Sequence, residues 1–593
     1  MPRTALALLV LQMVLRAVLA FGGYFYWDDL ILIGKAGTHS LLSPDLLFDD
    51  HDGHVMPGGF LLSAAISRAA PMNWFWPAAS MVVLQLIASL SLLRALHVIL
   101  GWRPVLLVPW IFALFTPMAL PAYAWWSAAL NALPMAAALA WVTTDAILLQ
   151  RTGNTRYVWT GTAVYLGGLL FFEKCGVIPI IAFAITALLA YVTANGAPST
   201  FTTALKTVWS KGVQLWLVMI LMTVGWIGVY ALVVNQKRWT LDWAMTWQLL
   251  QRSITHGIVP TLAGGPWTWD RWAPASPWAT PPLAAIVLGA LVLVAVLCLS
   301  LARKRRLVPL WITAAAYAVG CQVPIYLMRS SPFTVLELAQ TLRYLSDLVV
   351  VLALLTAVAF CAPNRPDSAW LNSSPWRNRV ISCAAVLFII SSLYSSWTFL
   401  LSWRDNPTRS YLRNAQASLA AVAQGPPLLD QGVDPLIMQK VAWPENLASH
   451  IFSLVPQQPG FASSTSDLKV FNRSGQLVPG KVTWVRYTLP GPKPQCGYQV
   501  LTDQPVILPL SGPMLPSDWT AEVNYLANSD GTLVMALTDG KVDGQPARVP
   551  VRAGLNRVFV RLSGAGTMIR VSADTAALSV CLASGPVGFL APV

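Results

Sequence analysis

Hydrophobic and polar positions follow two different patterns along this chain. Up to about residue 403, long apolar runs are broken by short polar stretches, and runs of roughly 17 to 25 residues are the length a bilayer-crossing helix needs. Eleven such runs are predicted as transmembrane helices: 4–22, 77–100, 104–122, 126–150, 156–172, 175–193, 213–234, 282–302, 307–328, 344–362 and 380–403. From Arg404 the runs stop and Pro, Gly, Ser and Asn become more frequent. Residues 404–464 mix helical stretches such as Tyr411 to Val422 with proline breaks. Beyond 465 the period falls to two, as at Val523 and Tyr525, then Ser529-Asp530-Gly531, then Val558, Val560 and Leu562. Alternation with turn residues between runs predicts an antiparallel β-sandwich. The expected fold is a polytopic α-helical membrane domain (1–403), a mixed connecting region (404–464) and a C-terminal β-sandwich (465–593).

Composition agrees and adds direction. The 593 residues are 56% hydrophobic and 11% charged, with a mean hydropathy of +0.58, which excludes an ordinary soluble globular protein. Lys and Arg in short loops resist translocation. Arg151 and Arg156, Arg303 to Arg306, and Arg365, Arg377 and Arg379 all fall on one side, read as cytoplasmic. An odd number of spans then places the N-terminus in the cytoplasm and the β domain outside a multi-pass cell membrane protein. Val18-Leu19-Ala20 leaves open a cleaved signal peptide, although Arg16 interrupts that apolar run.

The formal net charge of +14 is largely loop charge and does not argue for nucleic acid. The cations on the external side are different: Lys35, Arg68, Lys174, Lys237, Arg238, Arg252, Arg271, Arg329 and Arg343 run against the usual bias. An anionic ligand such as a lipid phosphate would account for them. Cys496 and Cys581 are the only cysteines in the external domain, and an oxidising compartment predicts their disulfide.

Candidate chemistry concentrates in the first external loop, 23–76. Asp28-Asp29 follows the aromatic run Tyr24-Phe25-Tyr26-Trp27, where carboxylates are costly to desolvate unless they serve a cavity or ligand. On an extended segment neighbours point to opposite faces, so the two carboxylates are expected to have separate jobs: one accepting a proton from an attacking hydroxyl, the other orienting it or holding a divalent cation. Capping of a helix end is the structural alternative. The cluster Asp49-Asp50-His51-Asp52-Gly53-His54 precedes a short interfacial helix over 57–70. Asp29, Asp50 and Asp52 are the expected ligands if Mg, Mn or Ca is held there, and a solvated turn is the plainer reading. Glu173-Lys174 lies between two spans, where the two charges either offset each other's burial or free Lys174 for phosphate. Arg329 and Arg343-Tyr344 flank the late loop 329–343, as phosphate contacts or as snorkelling side chains. Seven tryptophans in 235–281, including Trp239, Trp243, Trp247, Trp267, Trp269, Trp272 and Trp278, form either an interfacial belt or a stacking platform.

Tyr26-Trp27-Asp28-Asp29, with His54-Val55-Met56-Pro57 in the same loop, resembles the acidic first-loop motif of the GT-C superfamily of integral membrane glycosyltransferases, in particular actinobacterial cell-wall arabinosyl- and mannosyltransferases. Glu173-Lys174 and Arg343-Tyr344 are similar to charged motifs in the middle and late helices of that family. The resemblance covers the membrane part, and departs from it in Met56, where a second proline is common, and in lacking a long late catalytic loop. It implies a hexosyl- or pentosyltransferase moving a sugar, with inversion, from a polyprenyl-phosphate donor to a cell-envelope glycan or lipid. Asp28 and Asp29 would be catalytic, Lys174, Arg329 and Arg343 would hold the donor phosphate, and His51, Asp52, His54, Glu173 and Tyr344 would support them. A transporter or flippase for a lipid-linked or anionic solute is the alternative from another class, and a non-catalytic envelope scaffold is a third.

Overall fold

A computed structural model of the protein describes residues 1–593 except 195–199, 235–240, 367–376 and 503, together with the side chains of 377 and 378. Lys237, Arg238, Trp239 and the Arg377 side chain therefore lie outside the described residues. The chain divides into two compact units, Met1–Asn406 and Pro407–Val593.

In the first unit, ten helices among the described residues are long and apolar enough to cross a membrane. They match the expected runs except at 156–172. That run folds as the helix Arg156–Leu169, only 14 residues, or about 21 Å at ~1.5 Å per residue, against a hydrocarbon core of about 30 Å. Apolar composition alone does not reveal the early stop. Gly168 lets the helix end pass close to its neighbours, where a Cβ would meet Ala138 at 3.0 Å and Cys175 at 3.1 Å. The chain then turns at Phe171-Phe172 into the 3-10 segment Glu173–Val177. This short helix, leaving from the basic loops, ends where Glu173 meets His54 of the first loop and Lys174 meets Asp347.

The most enclosed helix is Trp126–Thr152, surrounded by a continuous core of Leu, Ala, Val and aromatic side chains. It carries a charge within its length: the fully buried Asp145 accepts from Arg94 Nη2 at 2.5 Å and Thr160 Oγ1 at 2.6 Å. The basic loops gather on one face by capping carbonyls, Lys304 Nζ reaching Ala362 O at 2.6 Å and Arg151 Nη1 reaching Val98 O at 2.6 Å.

The second unit contains the expected β domain, and residues from Pro407 onward belong to it. Its ladders run through one ten-stranded sheet instead of two separately paired sheets. Val506–Ala527 and Gly554–Ala573 pair antiparallel along most of their length, with a register shift between Gly564 and Gly566. The period-two positions Val523, Tyr525, Val558, Val560 and Leu562 are buried in one core with Leu533 and Met535. Tyr498–Leu501 pairs with Ser579–Leu582, which brings Cys496 and Cys581 together as the expected disulfide.

Candidate active site

The aromatic run of the first loop is an anchor. Phe25 packs edge-on against Trp74 at 5.1 Å, and Tyr26 against Trp125 at 4.9 Å and Trp403 at 5.4 Å. Trp27 then takes a φ of 40°, a costly conformation for a bulky side chain, and the chain enters the helix Asp28–Thr38. The acidic pair thus lies in a first helical turn, not on an extended segment, and its two members part by the helical angle. Asp29 is fully buried; its Oδ2 accepts from Tyr26 N at 3.0 Å and its Oδ1 from Ser127 N at 2.9 Å. It closes the Trp27 bend and ties it to the start of the most enclosed helix. Burial raises its pKa, while the two backbone N–H groups oppose the rise.

Asp28 is half-buried and, among the described residues, its carboxylate has no hydrogen-bond or ion-pair partner. Burial pushes it up to about 6; Asp52 adds to the rise, and Arg343, Arg329 and His54 oppose it. A carboxylate poised there is a competent proton acceptor near neutral pH.

The second cluster folds as a tight turn. His51 and His54 exchange backbone bonds at 3.1 and 3.0 Å, with Asp52 and Gly53 at φ 53° and 86°, the positive values that favour Asp-Gly in a two-residue hairpin loop. The turn presents Asp52 to Arg329 Nη2 at 3.0 Å and His54 Nδ1 to Glu173 Oε1 at 2.8 Å. Burial alone would depress the His54 pKa, but Glu173 overcomes it and the net direction is upward. His51 is buried against Phe60, and desolvation with Lys35 nearby keeps it neutral.

Glu173 and Lys174 do not offset each other. Each takes a partner from another segment, Lys174 Nζ donating to Asp347 Oδ1 at 2.9 Å and to Tyr344 O at 3.2 Å. Tyr317 closes the same carboxylate from the other side. The charge expected to meet a phosphate is therefore engaged internally. Other external cations among the described residues are engaged too: Lys35 with Asp49, Arg68 and Arg271 with backbone carbonyls, Arg252 with Gln340, Arg329 with Asp52. Arg343 stands apart. It donates to Tyr344 Oη at 2.7 Å and lies over the Trp125 and Tyr344 rings at 5.1 and 4.9 Å, but among the described residues no carboxylate meets it and its Nε has no acceptor.

The expected cation ligands do not converge. Asp29 gives both oxygens to backbone N–H groups, Asp50 Oδ1 accepts from Gly53 N at 2.8 Å, and Asp52 meets Arg329. Among the described residues no group of three or more His, Cys, Asp or Glu side chains is placed to hold a metal ion. These residues do not fit one divalent ion. The tryptophans divide: Trp267 and Trp269 donate to Ser391 and Ser395 within the unit, while Trp243, Trp247 and Trp272 remain exposed.

Asp347, Asp145 and Arg94 were not singled out from sequence, although an ionisable residue inside an apolar run is itself a signal.

The fold is that of a polytopic helical membrane protein with a C-terminal β domain. No protein-family model and no curated protein matches the chain. Among solved structures it is similar to ArnT from Cupriavidus metallidurans bound to undecaprenyl phosphate, at 12% identity and a TM-score of 0.41, over 77% of this chain and 85% of that one. It is similar to the oligosaccharyltransferase AglB from Archaeoglobus fulgidus, at 12% identity and a TM-score of 0.35, over 71% of this chain and 58% of that one. The third is the arabinosyltransferase EmbB from Mycobacterium smegmatis, at 11% identity and a TM-score of 0.35, over 99% of this chain and 64% of that one.

Proposed function

We propose that the protein is a membrane glycosyltransferase of the GT-C kind, moving a sugar from a polyprenyl-phosphate donor to a cell-envelope acceptor with inversion. One observation carries the reading: a half-buried carboxylate, Asp28, without a partner among the described residues, lies in the field of a guanidinium, Arg343, that meets no acid among them. Such a site is complementary to a ligand that brings a phosphate and a reacting hydroxyl together. The acceptor oxygen bonds to the anomeric carbon as the bond from that carbon to the phosphate oxygen breaks. The bonding pair leaves with the phosphate, where Arg343 stabilises it, and the hydroxyl proton passes to Asp28. Arg329 supports the same charge while held by Asp52. Asp29 positions Asp28 through the backbone, and Lys174 positions Arg343 by fixing the start of its helix through Asp347. The basic loops lie on the opposite face from the site, which supports an extracytoplasmic site and a cytoplasmic N-terminus.

A transporter driven by carboxylate protonation or cation exchange needs those carboxylates free to change partners inside the membrane; Asp145 and Asp347, both within helices long enough to cross, are paired. The test is sugar transfer from radiolabelled polyprenyl-phosphate pentose and hexose donors by wild type and Asp28→Asn. Loss of a general base is expected to cost on the order of 10² to 10⁴ in rate with donor binding retained. Full activity in the variant would remove the assignment. Wild-type protein that carries the lipid across a bilayer without transferring its sugar would establish a transporter instead.

A further inference from the structure

Arg16 lies well inside the first transmembrane helix, Pro2–Gly22, and has no role in the chemistry above. It is 4% exposed. Its guanidinium rests 4.8 Å from the Tyr123 ring centre, and the Tyr123 hydroxyl donates to the Arg16 backbone oxygen at 2.9 Å. Among the described residues no side chain or carbonyl accepts from the guanidinium, and Nη1 is buried without a partner. Arginine does not shed its proton in proteins, so a full positive charge sits in the apolar layer without a counter-charge, a costly arrangement.

Arg16 lines a cavity of about 50 Å³. Its polar wall is Gln12, Gln85, Ser89 and Ser346, and the remaining lining is mostly Ala, Leu and Val, with no acidic residue. Gln85 Nε2 donates to Ser89 Oγ at 3.0 Å, and Ser89 Oγ to Gln12 Oε1 at 2.9 Å, so these side chains bond to one another and not to Arg16. Ser346 opens the 16-residue helix Ser346–Cys361, whose N-terminal end adds partial positive charge. The carboxylate next to it, Asp347, is engaged by Lys174 and Tyr317. The cavity is therefore lined by one cation, neutral polar side chains, a helix start and apolar groups, without an acid. The volume suits a few water-sized groups, which admits a halide with a water and leaves no room for a glycerophosphate head group.

We propose that this cavity binds a small monovalent anion of halide size, held by Arg16 and Ser346 and bridging the first helix to the helix that begins at Ser346. Water alone would fill the space without cancelling the charge. The site is separate from Asp28, and the proposal stands whether or not the protein transfers sugars.

The test uses the full chain in lipid nanodiscs, exchanged into gluconate and titrated with chloride or bromide at constant ionic strength. A saturable rise in melting temperature is expected, lost in Arg16→Gln. A structure of wild type in sodium bromide should show bromide beside Arg16, and it decides the matter alone if the variant does not fold. An equal rise in Arg16→Gln, water only in the cavity, or a lipid head group entering it would each overturn the proposal.

Discussion

Replacing Arg343 with Gln should move the pH dependence of catalysis, not merely lower it. Burial raises the Asp28 carboxyl to about 6, and Arg343 is the strongest group opposing that rise. Removing its charge destabilises the carboxylate relative to the acid, so the pKa goes up. A nearby cation is worth about one unit or more, which takes the variant to about 7. Asp28 would then fall from about half to about one-tenth ionised at pH 6, a loss of about fivefold in kcat/KM from ionisation alone, and would regain nearly full ionisation at pH 8. Weaker phosphate binding adds a further loss, but one that does not vary in this way with pH. The assay is kcat/KM for donor from pH 5 to 8.5 in both proteins. Arg329→Gln should shift the inflection less, because Arg329 acts on Asp28 more weakly. A wild-type-to-variant ratio that stays flat across the range would refute the coupling of Arg343 to Asp28.

Asp29→Ala leaves two buried backbone N–H groups without acceptors and should cost about 2 to 4 kcal/mol, read as a lowered melting temperature with activity lost in parallel; unchanged stability would deny Asp29 its positioning role. Lys174→Met strands Asp347 inside the membrane domain and should destabilise by about 3 to 5 kcal/mol, whereas Lys174→Met with Asp347→Leu should recover much of the loss; a double variant as unstable as the single one would contradict the pairing. The Cys496–Cys581 bridge closes a separation of 85 residues, and loop-closure entropy sets its contribution at up to about 4.6 kcal/mol. Reduction should shorten the protease lifetime of the β domain in the intact protein, and an unaltered lifetime would count against that contribution.

The membrane spans were legible because a long uncharged apolar run has few other stable fates. The run 156–172 misled because hydropathy does not separate a crossing helix from a short helix that turns early. The period-two positions of the β domain named its core, since alternation dictates which side chains face inward. Pairing of the strands into one sheet was not legible, because it depends on ladders between segments far apart in sequence. Asp28 and His54 could be singled out because they share one dense loop. Glu173, the partner of His54, and Arg343, whose field reaches Asp28, appeared as separate motifs, and nothing local reveals that adjacent Glu173 and Lys174 take partners from different segments. Asp347 and Asp145 were hidden because a single charge barely alters the mean of a twenty-residue window.

The unpaired state of Arg343 and Asp28 has a consequence for the order of events in transfer. The two form no ion pair, so each remains available, yet the field of Arg343 holds the Asp28 pKa down while the site is empty. A donor phosphate bound to Arg343 neutralises that field and adds negative charge of its own. Both effects raise the Asp28 pKa, making it a stronger base once the sugar is in place. The free protein and the donor complex should then titrate differently: kcat/KM, which reports the free enzyme, should inflect near 6, and kcat, which reports the complex, at a higher pH. Steady-state profiles of wild type are sufficient to test this. If both parameters inflect at the same pH, the phosphate does not bind at Arg343, and the proposed charge complementarity between donor and site is wrong even if Asp28 proves to be the base.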